Sequence, residues 1–219
     1  TTPFTFIATA EVIALLNAVP VFVDICPDTF NLDCSQIEKK ITSKTKAIIP
    51  VHLFGHPAEM DLVMEIARKY NLKVVEDCAQ AFGAKYRGQK VGTIGDAGCF
   101  SFFPSKNLGG YGDGGMVITK HKDIAEKIRI LRNHGSSTRY HHLLVGYNSR
   151  LDEIQAAVLC VKLKRIDEYN EARRHNAAIY CAAIKKKEIV LPSVSPGCEH
   201  VYHQFTIRTK NRDALASAL

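Results

Sequence analysis

One lysine, Lys106, sits in the stretch SFFPSKNLGGYGDGG (residues 101–115) among five glycines and three aromatics, with Asp113 as the only other charge. Glycine lets a backbone approach a ligand closely, and a lysine in such a loop meets either a phosphate or a carbonyl carbon. The phosphate-loop pattern G-x-x-x-x-G-K-[ST] is absent. Asn107 follows the lysine, and the glycines come after it rather than before. Aromatics on one side and small residues on the other describe a tight, largely apolar pocket. A lysine held there has a lowered pKa, and its neutral amine attacks an aldehyde. That is the chemistry of a Schiff-base lysine; a surface lysine in a flexible loop is the alternative.

Asp77 is the second candidate. It ends the apolar run LKVVED (72–77), and ligands gather at the carboxyl ends of strands in parallel α/β sheets. A carboxylate beside Val74 and Val75 needs a cationic or hydrogen-bonding partner; a helix cap or a turn aspartate is the plainer reading. One cofactor, pyridoxal phosphate, uses all these features. It needs a lysine for its aldehyde, an acid for its ring nitrogen, a hydroxyl for its phosphate and an aromatic against its ring. Lys106, Asp77, Ser101 and Phe6 are of the right types.

The elements that must position these residues follow from periodicity. Residues 8–18 are strong helix formers, PVFVDI (20–25) reads as a strand, CSQIEKKI as a helix and AIIPVHL (47–53) as a buried strand. AEMDLVMEIARKY (58–70) is helical, with Leu62, Ile66 and Tyr70 at four-residue steps beside Val63 and Ala67. With the strand 72–77 this gives repeated βαβ units, and hence a mostly parallel sheet with helices on both faces. GCFSFF (98–103) and GMVITK (115–120) read as strands flanking the glycine loop, and residues 123–135 as a helix closed by Gly135. A long helix is expected from Leu151 towards Ile184, its stripe Leu151, Ile154, Val158 and Val161 facing a core or a partner helix. HVYHQFTIRT reads as a strand after the break LPSVSPGC.

Composition narrows the class. The chain has 219 residues, 46% of them hydrophobic and 23% charged, which supports a sizeable core. It contains no run long enough to span a bilayer and no signal peptide, so no membrane is expected and the cytoplasm is the expected compartment. Seven scattered cysteines without C-x-x-C spacing read as reduced thiols rather than a disulfide framework or a metal site. The net charge of +7 suits anionic small molecules. Nucleic-acid binding would call for a recognition helix or stacking platform, and neither is found.

VEDCAQAFGA, FSFFPSKNLGGYGDGG and GYNSRLDEIQAA, in this order, resemble the DegT/DnrJ/EryC1/StrS family of sugar aminotransferases; TFIATA and DLVMEIARKYNLKVVED match as well. The resemblance covers essentially the whole chain. It implies the type I fold of pyridoxal-phosphate transferases, with a large cofactor-binding domain over residues 1–168. Residues 169–219 would form a linker helix and the start of a smaller α+β C-terminal domain. The abrupt ends read as those of a fragment.

By the same resemblance Lys106 holds the cofactor and shuttles a proton, Asp77 pairs with the ring nitrogen and Gln80 bonds the ring oxygen. Ser101 binds the phosphate, Phe6 stacks on the ring, and Asn148 reaches the cofactor of the other subunit of a homodimer. Arg139, Tyr140, His141, His142, His200, Tyr202 and His203 are implied at the substrate. The implied reaction is transamination of a nucleotide-linked keto-sugar with L-glutamate, for surface polysaccharide, lipopolysaccharide or antibiotic synthesis. A sugar dehydratase or a non-catalytic cofactor-binding regulator of the same fold is the alternative.

Overall fold

A computed structural model describes residues 1–219. The chain opens with α1 (Ala8–Leu15), then β1 (Ala47–Ile48), α2 (Met60–Lys69) and β2 (Lys73–Asp77). A hairpin of β3 (Lys85–Tyr86) and β4 (Gln89–Lys90) leads to β5 (Ala97–Ser101), and the glycine loop joins β5 to β6 (Gly115–Thr119). There follow α3 (Lys122–Leu131), the small hairpin β7 (Ser136–Thr138) and β8 (His141–His142), α4 (Glu153–Leu163), α5 (Ile166–Ala183), β9 (Cys198–Glu199) and α6 (Arg212–Ala218). The main sheet runs β1-β2-β5-β6, with β1, β2 and β5 parallel and β6 antiparallel to β5. It is the mostly parallel sheet expected from the alternating strand and helix patterns. No helix is long and apolar enough to cross a membrane.

β2 organises this sheet. Its side chains alternate across the pleat, Val74 and Glu76 buried on one face, Val75 and Asp77 half-buried on the other. Glu76 is fully buried, and its carboxylate accepts from His52 Nε2 (3.0 Å) and from the N–H groups of Gly92 (2.7 Å), Ile94 (2.8 Å) and Gly95 (2.7 Å). Burial alone would raise this carboxyl; the His52 and backbone hydrogen bonds outweigh it and hold it below the usual carboxylate range. The His52 N–H in turn bonds the Asp77 carbonyl (3.0 Å). The end of β2 is thus tied to the chain beyond β1 and to the lead-in to β5.

α2 covers one face of the sheet with Met60, Val63, Ile66 and Ala67, all part of the main apolar core. The buried stripe is rotated from the expected one: Leu62 is 48% exposed and Tyr70 lies at the rim. The helix ends where Asn71 takes a left-handed conformation (φ 51°) and Leu72 N–H bonds the Ala67 carbonyl (2.8 Å), a Schellman closure.

Other elements depart from their sequence signatures. PVFVDI joins none of the sheets: its Val21 carbonyl and Val23 N–H bond Thr1, its Asp24 carbonyl accepts from Asp33 N–H (2.9 Å), and Ile25 bridges Leu32. CSQIEKKI makes two 3₁₀ turns, whose three-residue period carries Cys34 and Ile37 into the core. α3 stops at Leu131; Gly135 lies beyond it at φ +72°, with its N–H on the Ile130 carbonyl (3.0 Å). The long helix is two helices, parted where Arg165 leaves helical geometry (φ −117°). Ile154 and Val161 of the expected stripe are exposed, and Leu159 and Ile166 pack instead on Phe102 and Leu108.

The expected boundary at 168/169 falls inside α5. Only Cys198–Glu199 of the later region forms a strand, and it pairs with β3. Val201 then enters the core with Cys78, Ala81, Ala84 and Val91. The segment after α5 therefore packs onto the sheet domain.

This docking is sensitive to acid. His56 and His200 meet edge to face (ring centroids 5.4 Å), and His56 Nε2 accepts from Ser195 N–H (3.0 Å). Burial lowers their pKa values to about 4 and about 3. Both remain neutral in the folded protein while an unfolded chain takes up protons below about 6.5. Stability is therefore full above pH 6.5 and falls towards pH 4 by about 1.4 kcal/mol per pH unit for each histidine. Denaturant midpoints measured across this range should show that slope. His200→Asn, which keeps an acceptor for the Tyr202 N–H, should reduce it.

Candidate active site

Asp77 stands at the C-terminal end of β2, and Ser101 at the C-terminal end of the adjacent β5; the strand register pairs Asp77 with Cys99. The two Asp77 carboxylate oxygens are held separately. Oδ2 accepts from Thr9 Oγ1 (2.7 Å), and Oδ1 from Ala79 N–H (3.0 Å). Thr9 is buried in α1, with Thr5 Oγ1 a further 3.2 Å away. Thr9 went unmarked in the sequence because a lone threonine in a helix carries no motif. Its signal is its position three residues after Phe6, in TFIATA.

Lys106 lies close enough to Asp77 for the carboxylate to act on it. Burial lowers the lysine pKa, and the Asp77 charge opposes that shift. The amine is thus easier to deprotonate than that of an exposed lysine, although the Asp77 carboxylate works against this. His203 belongs to the same cluster. Burial, with the charges of Lys106 and Arg173, lowers it to about 4, and its buried Nδ1 has no hydrogen-bond partner.

Gln80 lies on the turn after Asp77. Its Oε1 accepts from Phe54 N–H (2.6 Å), which leaves its amide NH₂ free to donate. Phe54 takes a left-handed φ of 58° to reach it, followed by Gly55 at +96°. A Cβ on Gly55 would stand 2.9 Å from Val201 and 3.0 Å from the His203 nitrogen. Ser101 Oγ accepts from Phe103 N–H (3.3 Å), and its own proton remains free. Phe6, just ahead of α1, is 72% exposed and its ring packs on no other aromatic.

The glycine loop is fixed from α4. Gln155 Oε1 accepts from Tyr111 N–H (2.7 Å), Lys162 Nζ bonds the Gly109 carbonyl, and Asp152 caps the helix through the N–H groups of Ile154 and Gln155. The motif GYNSRLDEIQAA thus holds the lysine loop in place, a role its residue types alone do not reveal.

The remaining sequence candidates lie on other elements. Asn148 is exposed and bridges Asn133 beside the end of α3. Arg139, Tyr140, His141 and His142 are exposed on the β7–β8 hairpin, with Arg139 over the Tyr140 ring (5.1 Å). His200 is 4% exposed; its Nδ1 accepts from Tyr202 N–H (2.9 Å) and its ring stacks on the half-buried Tyr202 (3.9 Å).

The donor set suits pyridoxal phosphate: an amine of lowered pKa, a carboxylate with acceptor capacity beside it, a free amide NH₂, a free hydroxyl proton and an exposed aromatic. Because Thr9 orients Asp77, Thr9→Val should weaken pyridoxal phosphate binding about tenfold, whereas Thr9→Ser should retain it. Absorbance titration of the apoprotein measures both.

Comparison with known proteins places the chain in a family. The sequence model of the DegT/DnrJ/EryC1/StrS aminotransferase family matches residues 1–219. A pleiotropic regulatory protein of Geobacillus stearothermophilus is 53% identical over 100% of this chain and 60% of its own length. A UDP-N-acetyl-3-dehydro-alpha-D-glucosamine 3-aminotransferase of Acidithiobacillus ferrooxidans is 52% identical over 99% of this chain and 58% of its own. Among solved structures, S. venezuelae DesV in complex with a ketimine intermediate superposes with a TM-score of 0.96 at 45% identity, over 99% of this chain and 59% of that one. The chain therefore spans 58–60% of the length of these relatives.

Proposed function

The chain belongs to the DegT/DnrJ/EryC1/StrS aminotransferase family, and from that premise we propose that it carries the cofactor half of a nucleotide-sugar aminotransferase. The observation that carries this reading is the placement of Asp77 and Ser101 at the carboxyl ends of adjacent strands, with the Lys106 loop following Ser101 and the Asp77 charge acting on the Lys106 amine. Relatives named for amino-sugar synthesis on UDP and dTDP support the substrate class.

Pyridoxal phosphate, when bound, supplies an electron sink that makes the α-proton of an amino acid labile. Lys106 would hold it through the Nζ amine; Asp77 would keep a proton on the ring nitrogen, oriented by Thr9 and Ala79. The Gln80 amide would donate to the ring oxygen, Ser101 to the phosphate, and Phe6 would cover one face of the ring. Released from its covalent role, the Lys106 amine would act as the base that takes and returns a proton, a role its burial-lowered pKa favours over that of an exposed lysine. His203, with its buried unpartnered Nδ1 beside Lys106, would meet the substrate.

Asn148 and the β7–β8 hairpin, both exposed, would complete the site of a second subunit, so the active form would be a homodimer. The amino donor would be L-glutamate and the acceptor a keto-sugar on a nucleoside diphosphate, in a cytoplasmic route to surface polysaccharide or lipopolysaccharide.

The holoenzyme, given L-glutamate and no sugar, should release one equivalent of 2-oxoglutarate per site and then aminate a UDP-linked 3-keto-sugar. Lys106→Ala should slow both half-reactions about 10³-fold or more. Loss of a sugar hydroxyl without 2-oxoglutarate release would instead establish a dehydratase.

A further inference from the structure

α5 carries one residue that its amphipathic pattern does not explain. Asn170 shares the buried face with Ile166 and Ala177, at 2% exposure. Asparagine is a weak helix former, and a buried amide costs stability unless it is hydrogen-bonded. Both ends of this amide are used, and its partners lie on the two segments that build the candidate cofactor site. Asn170 Oδ1 accepts from Asn107 Nδ2 (2.8 Å), and Asn170 Nδ2 donates to the Phe82 carbonyl (3.0 Å).

Asn107 directly follows Lys106, and its second amide proton goes to the Val201 carbonyl (3.0 Å). Phe82 lies two residues beyond Gln80 and five beyond Asp77. The next residue is Gly83, at φ +88°, where a Cβ would stand 2.6 Å from Asn170 Nδ2. A side chain at that position would push the amide out of its seat. One turn along α5, Arg173 Nη1 bonds the carbonyls of Tyr202 (3.0 Å) and His203 (3.3 Å). The helix therefore grips the lysine loop, the aspartate turn and the His203 segment from one side.

We propose that Asn170 is a positioning residue, a buried amide brace that fixes the distance between the loop carrying Lys106 and the turn carrying Asp77 and Gln80. The proposal rests on the cofactor reading of those residues. Plain helix packing would be served by an apolar side chain at position 170. A brace needs a donor and an acceptor on one rigid group, and Asn107 and Asn170 should then act as a unit. A shift of the Lys106 loop relative to Asp77 alters the lysine's electrostatic surroundings as well as its reach, so it changes how the bound cofactor titrates.

The test compares Asn170→Ser, Asn107→Ser and the double variant in the holoenzyme with Val63→Ala, a core truncation under α2 that touches no site residue. Asn107→Ser leaves α5 intact, so it reports even where the helix variant folds poorly. Four readouts are taken: thermal midpoint, affinity for pyridoxal phosphate, the pH midpoint of the bound cofactor's absorbance, and steady-state kinetics giving kcat and KM. Each single variant should lose about tenfold in affinity and in kcat, with KM within about twofold, and should shift the pH midpoint. The double variant should be no worse than either single one. Val63→Ala should lower the thermal midpoint and leave the pH midpoint unchanged.

Two results would overturn the brace alone: variants that lose stability while keeping wild-type affinity and pH midpoint, or losses that add in the double variant. A wild-type protein that binds no pyridoxal phosphate would overturn the functional reading, and the brace with it.

Discussion

A carboxylate and an amine held near one another at the edge of a sheet set the terms for the rest of this molecule. Neither Asp77 nor Lys106 can be placed by its own segment. Asp77 is fixed by Thr9 from α1 and by the turn that follows it. Lys106 rides on a loop that α4 clamps through Gln155 and Lys162 and that α5 reaches through Asn170. Burial lowers the amine's pKa while the carboxylate opposes that shift, the balance that the proposed roles of nucleophile and proton carrier would call for.

The strand that delivers Asp77 is anchored by the residue beside it. Glu76 points to the opposite face and accepts four hydrogen bonds, from His52 and the amides of Gly92, Ile94 and Gly95, in full burial. The same triplet His52, Glu76 and Cys78 gathers ligand-type atoms within 4.8 Å. Its geometry is that of a hydrogen-bond network, since His52 Nδ1 is occupied by the Ala58 N–H and Nε2 by Glu76. Adjacent carboxylates on one strand thus do opposite work. Glu76 is saturated by fixed donors and locks the strand end, whereas Asp77 keeps acceptor capacity for a ligand.

Much of this was legible in the sequence, in proportion to how local the physics is. The βαβ pattern marked β2 and β5 because buried parallel strands are continuous apolar runs, and the glycines around Lys106 announced a close backbone approach. The motif resemblance brought Asp77, Gln80, Ser101 and Lys106 together before any coordinates did. What stayed hidden depended on partners distant in sequence. PVFVDI has strand composition but bonds only Thr1 and the Leu32–Asp33 segment rather than a sheet strand, and the long helix breaks at Arg165 without a proline or glycine. The stacking of His200 on Tyr202 has no local signature either. Thr9, Gln155 and Asn170 act through contacts 44 to 88 residues away in the chain, and no local pattern records such pairings.

Reduction of the pyridoxal-phosphate-loaded protein with borohydride, followed by peptide mapping, tests the central assignment most directly, because it traps whichever amine holds the cofactor. The structure predicts a pyridoxyl group on Lys106, lost in Lys106→Ala and weakened in Thr9→Val. A folded, cofactor-saturated protein with its adduct on another lysine, or with none, would contradict the pairing of Lys106 with Asp77 on which this account rests.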